Sequence, residues 1–311
     1  MRDFDVLGLG EPLIEFNQIE RGQPGFRQGI GGDTFNAVVA AARQGARTSY
    51  IGRIGGADDF GRLLREAWRS EGVDASGMVQ DPEANNGLYF IEHDEQGHRF
   101  SYVRRHSAAS RMQPADLDSG LIERSRFLHV SGISLGLSQS ACDTVFAAME
   151  RARQAGTRVC LDANLRLKLW PLARARAILR EAIAQADVFL PGMDDMQQLT
   201  GLQAPQAVLD WTRAVNPRAV VVLKRGRDGV MLDHDGRRHA VAPCKVEAVD
   251  ATGAGDCFAG SLLARLSAGD DWIQAVEYAN AAAALSTTRY GAVAALPRAD
   301  EVRAFMARAQ S

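Results

Sequence analysis

Asp250-Ala251-Thr252-Gly253-Ala254-Gly255-Asp256 places two glycines between carboxylates, directly ahead of the helical run Phe258-Ala259-Gly260-Ser261-Leu262-Leu263-Ala264. A glycine-rich turn that opens a helix leaves backbone N–H groups without intrahelical acceptors, and the helix dipole adds positive charge at the same spot. Such a turn is an anion hole in which a phosphate can sit. Asp256, in the first helical turn, is placed to take a proton from a hydroxyl approaching that phosphate. The chemistry this suggests is phosphoryl transfer to an alcohol, with Gly253, Ala254 and Gly255 as the cradle and Asp256 as the base. Taken alone, the same residues also suit a plain strand-to-helix turn with an acidic helix start.

The elements that must position these residues are readable from periodicity. Strands are predicted at 6–10, 49–52, 127–131, 158–162, 188–190 and 219–223, with helices over 60–71, 138–154 and 172–185 between them. Short β-rich runs alternating with longer helical patterns imply a mostly parallel sheet with helices on both faces. Ligands in such folds collect at the carboxyl ends of the strands. Two stretches break the alternation: about 11–30 is polar and glycine-rich, and 87–104 reads as a hairpin turning through Asp94-Glu95-Gln96-Gly97.

Composition sets the outer bounds. The chain has 311 residues, 46% hydrophobic and 24% charged, with a net charge of −2, which recruits neither nucleic acid nor an anionic membrane. No apolar run approaches the roughly 20 residues that span a bilayer, and Met1-Arg2-Asp3-Phe4-Asp5 suits a first strand better than a signal peptide. The expectation is a cytoplasmic enzyme. Cys142, Cys160, Cys244 and Cys257 are widely spaced and read as reduced thiols, with Cys257, beside Asp256, either a small buried side chain or a reactive one. The six histidines form no metal-binding pair.

Far upstream, Gly31-Gly32-Asp33-Thr34-Phe35-Asn36 precedes the helical run 37–42. Together with the first motif it resembles the paired signatures of the PfkB (ribokinase-like) carbohydrate kinases, and the resemblance covers nearly the whole chain. It implies one ribokinase-like domain over 1–311, an α/β fold with a mostly parallel sheet flanked by helices. Segments about 11–33 and 85–111 would form a small β-sheet lid over the sugar, through which a homodimer or larger homo-oligomer assembles. ATP and Mg²⁺ are implied, and a monovalent cation is left open. Lys224-Arg225-Gly226-Arg227-Asp228-Gly229 matches the segment whose Lys224, Gly226 and Gly229 line the nucleotide site with Gly255, and Asn280 resembles an adenine-pocket position. Where many relatives carry Asn-x-x-Glu, this chain has Gly192-Met193-Asp194-Asp195, so Asp195 would serve Mg²⁺ indirectly, through water.

The segments around Asn36, Tyr89, Tyr102 and Ser131, with Asp162-Ala163-Asn164-Leu165-Arg166, look like the 2-keto-3-deoxygluconate kinase branch. There the substrate contacts correspond to Gly32, Tyr89, Tyr102, Arg104 and Arg166, and guanidinium forks with phenols suit a sugar carboxylate. A neutral-sugar kinase for fructose or ribose is the alternative. The chain has no Gly-x-x-x-x-Gly-Lys-Ser/Thr loop and so is not a P-loop kinase. Gly132-Ile133-Ser134-Leu135-Gly136 matches the nucleophile elbow of serine hydrolases. In that fold the helix follows the serine at once, whereas here Gly136-Leu137-Ser138 is expected to intervene, with Ser138 as the cap. A non-catalytic sugar-binding protein is opposed by the intact Asp256.

Overall fold

The computed structural model describes residues 2–94 and 97–309. In chain order it begins β1 (Phe4–Gly10), β2 (Leu13–Gln18), β3 (Phe26–Gly31), α1 (Asp33–Arg43), β4 (Thr48–Gly55), α2 (Phe60–Glu71) and β5 (Asp74–Asp81). It continues through β6 (Gly87–Asp94), β7 (Gly97–Val103), α3 (Ser119–Glu123), β8 (Ser125–Ser131), α4 (Gly132–Leu137), α5 (Gln139–Ala155) and β9 (Arg158–Asp162). Then come α6 (Leu172–Gln185), β10 (Val188–Leu190), α7 (Met193–Thr200), α8 (Pro205–Val215) and β11 (Val220–Lys224). The chain closes with β12 (Val230–His234), β13 (Arg237–Val241), α9 (Ala254–Ala268), α10 (Trp272–Ser286) and α11 (Ala299–Ala309).

Nine strands form one sheet in the order β13-β12-β11-β10-β9-β8-β1-β4-β5, parallel except where β12 and β13 pair antiparallel at one edge. The alternation along β1 explains the helices on both faces. Val6 joins a core with Phe35, Trp68, Phe258 and Leu262, while Leu7 and Leu9 join a second core with Val145, Leu179 and Phe189. The predicted 158–162, 188–190, 60–71 and 172–185 coincide with β9, β10, α2 and α6. Ser138 caps α5 by accepting the Ala141 N–H at 3.0 Å.

The two stretches outside the alternation form the second sheet, β3-β2-β6-β7. β6 and β7 make the expected hairpin, whose tip at Glu95 and Gln96 lies outside the described residues. β2 runs parallel to β6 although it precedes it by some seventy residues. Phe16 stacks on Phe90 at 5.0 Å between ring centroids and meets Phe60 of α2 edge-on, which seats this sheet on the main body.

One close approach sets the geometry that follows. A Cβ at Gly260 of α9 would lie 1.9 Å from the Ala37 carbonyl of α1, so only glycine lets these helices touch. Asn36 and Asp256 stand near this crossing on facing helices. Gly260→Leu should therefore lower stability by about 2 to 3 kcal/mol through overpacking, and any folded fraction should lose activity as the two side chains separate. Urea unfolding and turnover on the same preparation check both.

Candidate active site

Asp250 enters the turn as a brace: its Oδ1 accepts the Thr252 N–H and its Oδ2 the Gly291 N–H, both at 2.9 Å. Gly253 then adopts φ 75° and caps α9, a left-handed conformation that glycine takes without steric cost. The N–H groups of Gly255 and Asp256 have no acceptor among the described residues, and they open on the helix N-terminus. Of the two glycines, only Gly253 needs its conformation. At Gly255 a Cβ would meet only the Lys224 ammonium, at an ordinary contact distance of 3.5 Å.

Asp256 lies deep in the cleft and keeps part of its surface open to it. Its Oδ2 accepts from Asn36 Nδ2 at 2.8 Å. Enclosure and the nearby Asp33, with Asp162 behind it, push the Asp256 carboxyl up to about 8, against the pull of Asn36 and Lys224. Lys224 Nζ bonds Asp162 Oδ2 at 2.5 Å. Asp33 is held by the Ser131 hydroxyl and, at 3.2 Å, by Asn164 Nδ2. Two buried atoms facing this region, Asn36 Oδ1 and Thr252 Oγ1, have no partner. The arrangement has donors for an anion on one side and acceptors for a hydroxyl on the other.

These groups line a cleft of about 960 Å³ that also contains Gly32, Tyr89, Tyr102, Arg104, Arg166, Asp195 and Gly226. Tyr89 and Tyr102 descend from the second sheet, with rings stacked at 5.9 Å. The Tyr89 hydroxyl donates to Glu15, whose other bond comes from the Ala292 N–H at 3.3 Å, beside Gly253. Burial pushes the Glu15 carboxyl up. Arg104 lies over the Tyr102 ring at 5.6 Å and meets the buried Glu11 carboxylate. Arg166 is 49% exposed, and its guanidinium stands 4.0 Å from Asp195. Burial and the neighbouring Asp162 push Asp195 up to about 6.

Asn280 is not brought to the cleft wall. Its amide donates to the Ala242 carbonyl at 2.8 Å and holds the segment after β13. Gly229, at φ 79°, closes the turn between β11 and β12 under the Val241 carbonyl. The elbow expectation is corrected in one respect: a short helix, α4, starts at Gly132, before Ser134. Ser134 is buried and donates to the Leu9 carbonyl at 3.4 Å, so its hydroxyl belongs to the core. Cys257 is also buried, which pushes its thiol up to about 12. Sequence reasoning passed over Asp33 as a neighbour of Asp256 and Asp162 as the partner of Lys224. Their signal was position, a carboxylate at a helix start and another at the carboxyl end of β9.

Among the described residues no helix is long and apolar enough to cross a membrane. The fold and cleft are those of a ribokinase-like sugar kinase. The model of the pfkB family carbohydrate kinases matches residues 4–299. The 2-dehydro-3-deoxygluconokinase of Thermoproteus tenax is 36% identical over 301 residues, 94% of this chain and 91% of that one. Fructokinase-1 of Oryza sativa subsp. japonica is 33% identical over 317 residues, 97% of each. The fructokinase of Vibrio cholerae O395, solved with fructose, ADP and calcium ion bound, has a TM-score of 0.87 at 30% identity, covering 96% of this chain and 98% of that one. The chain belongs to the pfkB family of carbohydrate kinases.

The raised Asp256 carboxyl has a consequence for stability. The unfolded group loses its proton near its ordinary value of 3.8 and the folded one near 8, so between them the native state binds more protons and stability falls as pH rises. Asp256→Asn removes that loss. The melting temperature of the variant should gain on the wild type as pH rises from about 5 to about 8.5, and a gap independent of pH would contradict the assignment.

Proposed function

We propose that this kinase transfers the γ-phosphoryl group of ATP to the terminal hydroxyl of 2-keto-3-deoxygluconate, giving 2-keto-3-deoxy-6-phosphogluconate and ADP. Asp256 is the base, Gly253 to Asp256 hold the phosphoryl group, and Lys224 stands over that site. The observation that carries the reading is the grouping of Arg104, Arg166, Tyr89 and Tyr102 in the same cleft as Asp256, since guanidinium and phenol donors recognise a carboxylate that neutral sugars lack. Asn36 Oδ1 offers an acceptor to a sugar hydroxyl. Phosphoryl transfer depends on positioning and charge stabilisation, which this set supplies.

Mg²⁺ fits the residues present. Asp195 and Asp162 are adjacent carboxylates whose mutual repulsion a dication relieves, and among the described residues no group of three or more ligating side chains makes a closed cage. That matches an ion held by one or two carboxylates, water and nucleotide phosphates. When bound, the ion neutralises charge on the transferring phosphoryl group. Arg225 and Arg227, after β11, extend the same wall toward the remaining phosphates.

A neutral-sugar kinase is the second reading, and the Glu11–Arg104 pair favours it. Glu11 already balances one of the two guanidinium groups, leaving Arg166 to meet an acid. The second sheet is also the surface we assign to a homodimer or larger homo-oligomer, because Ile19, Val103 and Tyr290 are exposed there or beside it. Light scattering that returns a monomer at micromolar concentration would remove this assignment.

ADP release measured across sugar acids and neutral sugars tests the acceptor. Asp256→Asn should lower kcat roughly 10²- to 10⁴-fold with nucleotide affinity little changed. Arg166→Ala should lower kcat/KM for the acid by about ten- to a hundredfold, and far less for the analogue reduced at the carboxyl group. Equal losses for both compounds would assign Arg166 to the phosphates or the fold.

A further inference from the structure

A second cavity, of about 800 Å³, adjoins the cleft along β7. Its walls are Phe100 to Tyr102, the segment from Arg104 to Arg111, the α4–α5 junction at Leu137 and Ser138, and the loop 166–169. Arg104, Arg105, Arg111, Arg166 and Lys168 line it together with His106, and among the described residues no aspartate or glutamate does. Arg105, Arg111, Arg166 and Lys168 are exposed, so solvent screens their mutual repulsion, and an anion seated among them would still meet converging donors.

The protein answers only some of these cations. Arg104 meets Glu11, and Arg111 lies 3.5 Å from Asp81, a carboxylate it shares with Arg53. Arg166 is 4.0 Å from Asp195. Lys168 donates to the Phe100 carbonyl at 3.3 Å, a neutral partner, and Arg105 has no hydrogen bond or ion pair among the described residues. Ser110 and Ser138 also line it, with the Ser110 hydroxyl donating to the Ser107 carbonyl and Ser138 Oγ capping α5. Guanidinium and ammonium donors with no carboxylate among them match the oxygens of a phosphate or carboxylate. Tyr102, Arg104 and Arg166 belong to this cavity and to the cleft alike, so a ligand here touches the walls of the acceptor site.

We propose that this cavity is a second anion subsite, which takes a phosphate or carboxylate group on Arg105, Lys168 and Arg111 beside the acceptor site. The group comes either from the far end of a doubly charged acceptor or from a free phosphorylated compound. The subsite does not rest on which sugar is phosphorylated.

Inorganic phosphate is the direct probe, titrated into the full chain by calorimetry at fixed ionic strength, with a non-hydrolysable ATP analogue and Mg²⁺ present to fill the anion hole. Arg105→Gln/Lys168→Gln should weaken phosphate binding by about tenfold or more relative to the wild type. Because the readout is that difference, it holds whatever occupies the anion hole. The exposed pair Arg65→Gln/Arg69→Gln removes the same charge from α2 and should leave binding unchanged. Equal affinity in the wild type and the cavity variant overturns the proposal, and so does an equal loss in the α2 control, which would reduce the effect to net charge. Kinetics then separate the sources. A fall in kcat/KM confined to acceptors with a second acid group assigns the subsite to the acceptor, whereas unchanged acceptor kinetics with loss of any phosphate effect on turnover assigns it to a free anion.

Discussion

The physical constraint on which the site depends is the enclosure of Asp256 among other carboxylates. Asp33 and Asp162 both raise its proton affinity, and Lys224 is the one ammonium set among the three. A carboxylate held this way is a strong base for its type, because low local polarity and like charge both disfavour its ionised form. It is also a strained arrangement electrostatically, and the fold contains it by local means. Asn36 donates to Asp256, Ser131 and Asn164 donate to Asp33, and the N-terminus of α9 directs its dipole at the base.

Two long-range links hold those donors in register. One is the helix contact at Gly260, which brings α1 against α9 and so Asn36 against Asp256. The other is Glu15, which joins Tyr89 of the second sheet to the Ala292 N–H behind Gly253. Asp250 extends that second link, since it ties Thr252 in the turn to Gly291 in the same loop. Glu15 beneath the Tyr89 wall and the 250–256 turn are thus bonded to one strap, residues 287–296. Displacing the second sheet would break the Ala292 bond to the buried Glu15 carboxylate.

Local pattern revealed the parts of this arrangement that local physics controls. β9, β10, α2 and α6 follow from apolar periodicity, and the anion hole follows from glycines ahead of a helix. β2 did not announce itself as a strand, because Glu15 and Asn17 are polar residues facing inward, so hydrophobic alternation fails where the site needs polar groups. β5, Asp74–Asp81, is silent for a different reason, since as a largely half-exposed edge strand it carries little apolar alternation. Pairings such as Glu11 with Arg104 and Asp162 with Lys224 join residues far apart in the chain, and no spacing rule reaches them. That Gly253, and not Gly255, needs a left-handed backbone is likewise a matter of backbone angle, which two glycines in a sequence do not distinguish.

The Lys224 ammonium bonds Asp162 and stands 3.5 Å from where a Cβ at Gly255 would lie, so on the proposed reaction the transferring phosphoryl group would meet a cation already positioned. Sharing Lys224 with that group weakens its hold on Asp162, and the released carboxylate charge then lies near Asp195, which is itself raised by Asp162. On the proposed reaction, Asp162 and Asp195 are the carboxylates that would hold a dication accompanying the nucleotide, and its charge would offset their repulsion. A centre with more carboxylate than cation is therefore matched to a nucleotide that brings its own counter-ion, and opposes one that arrives without it.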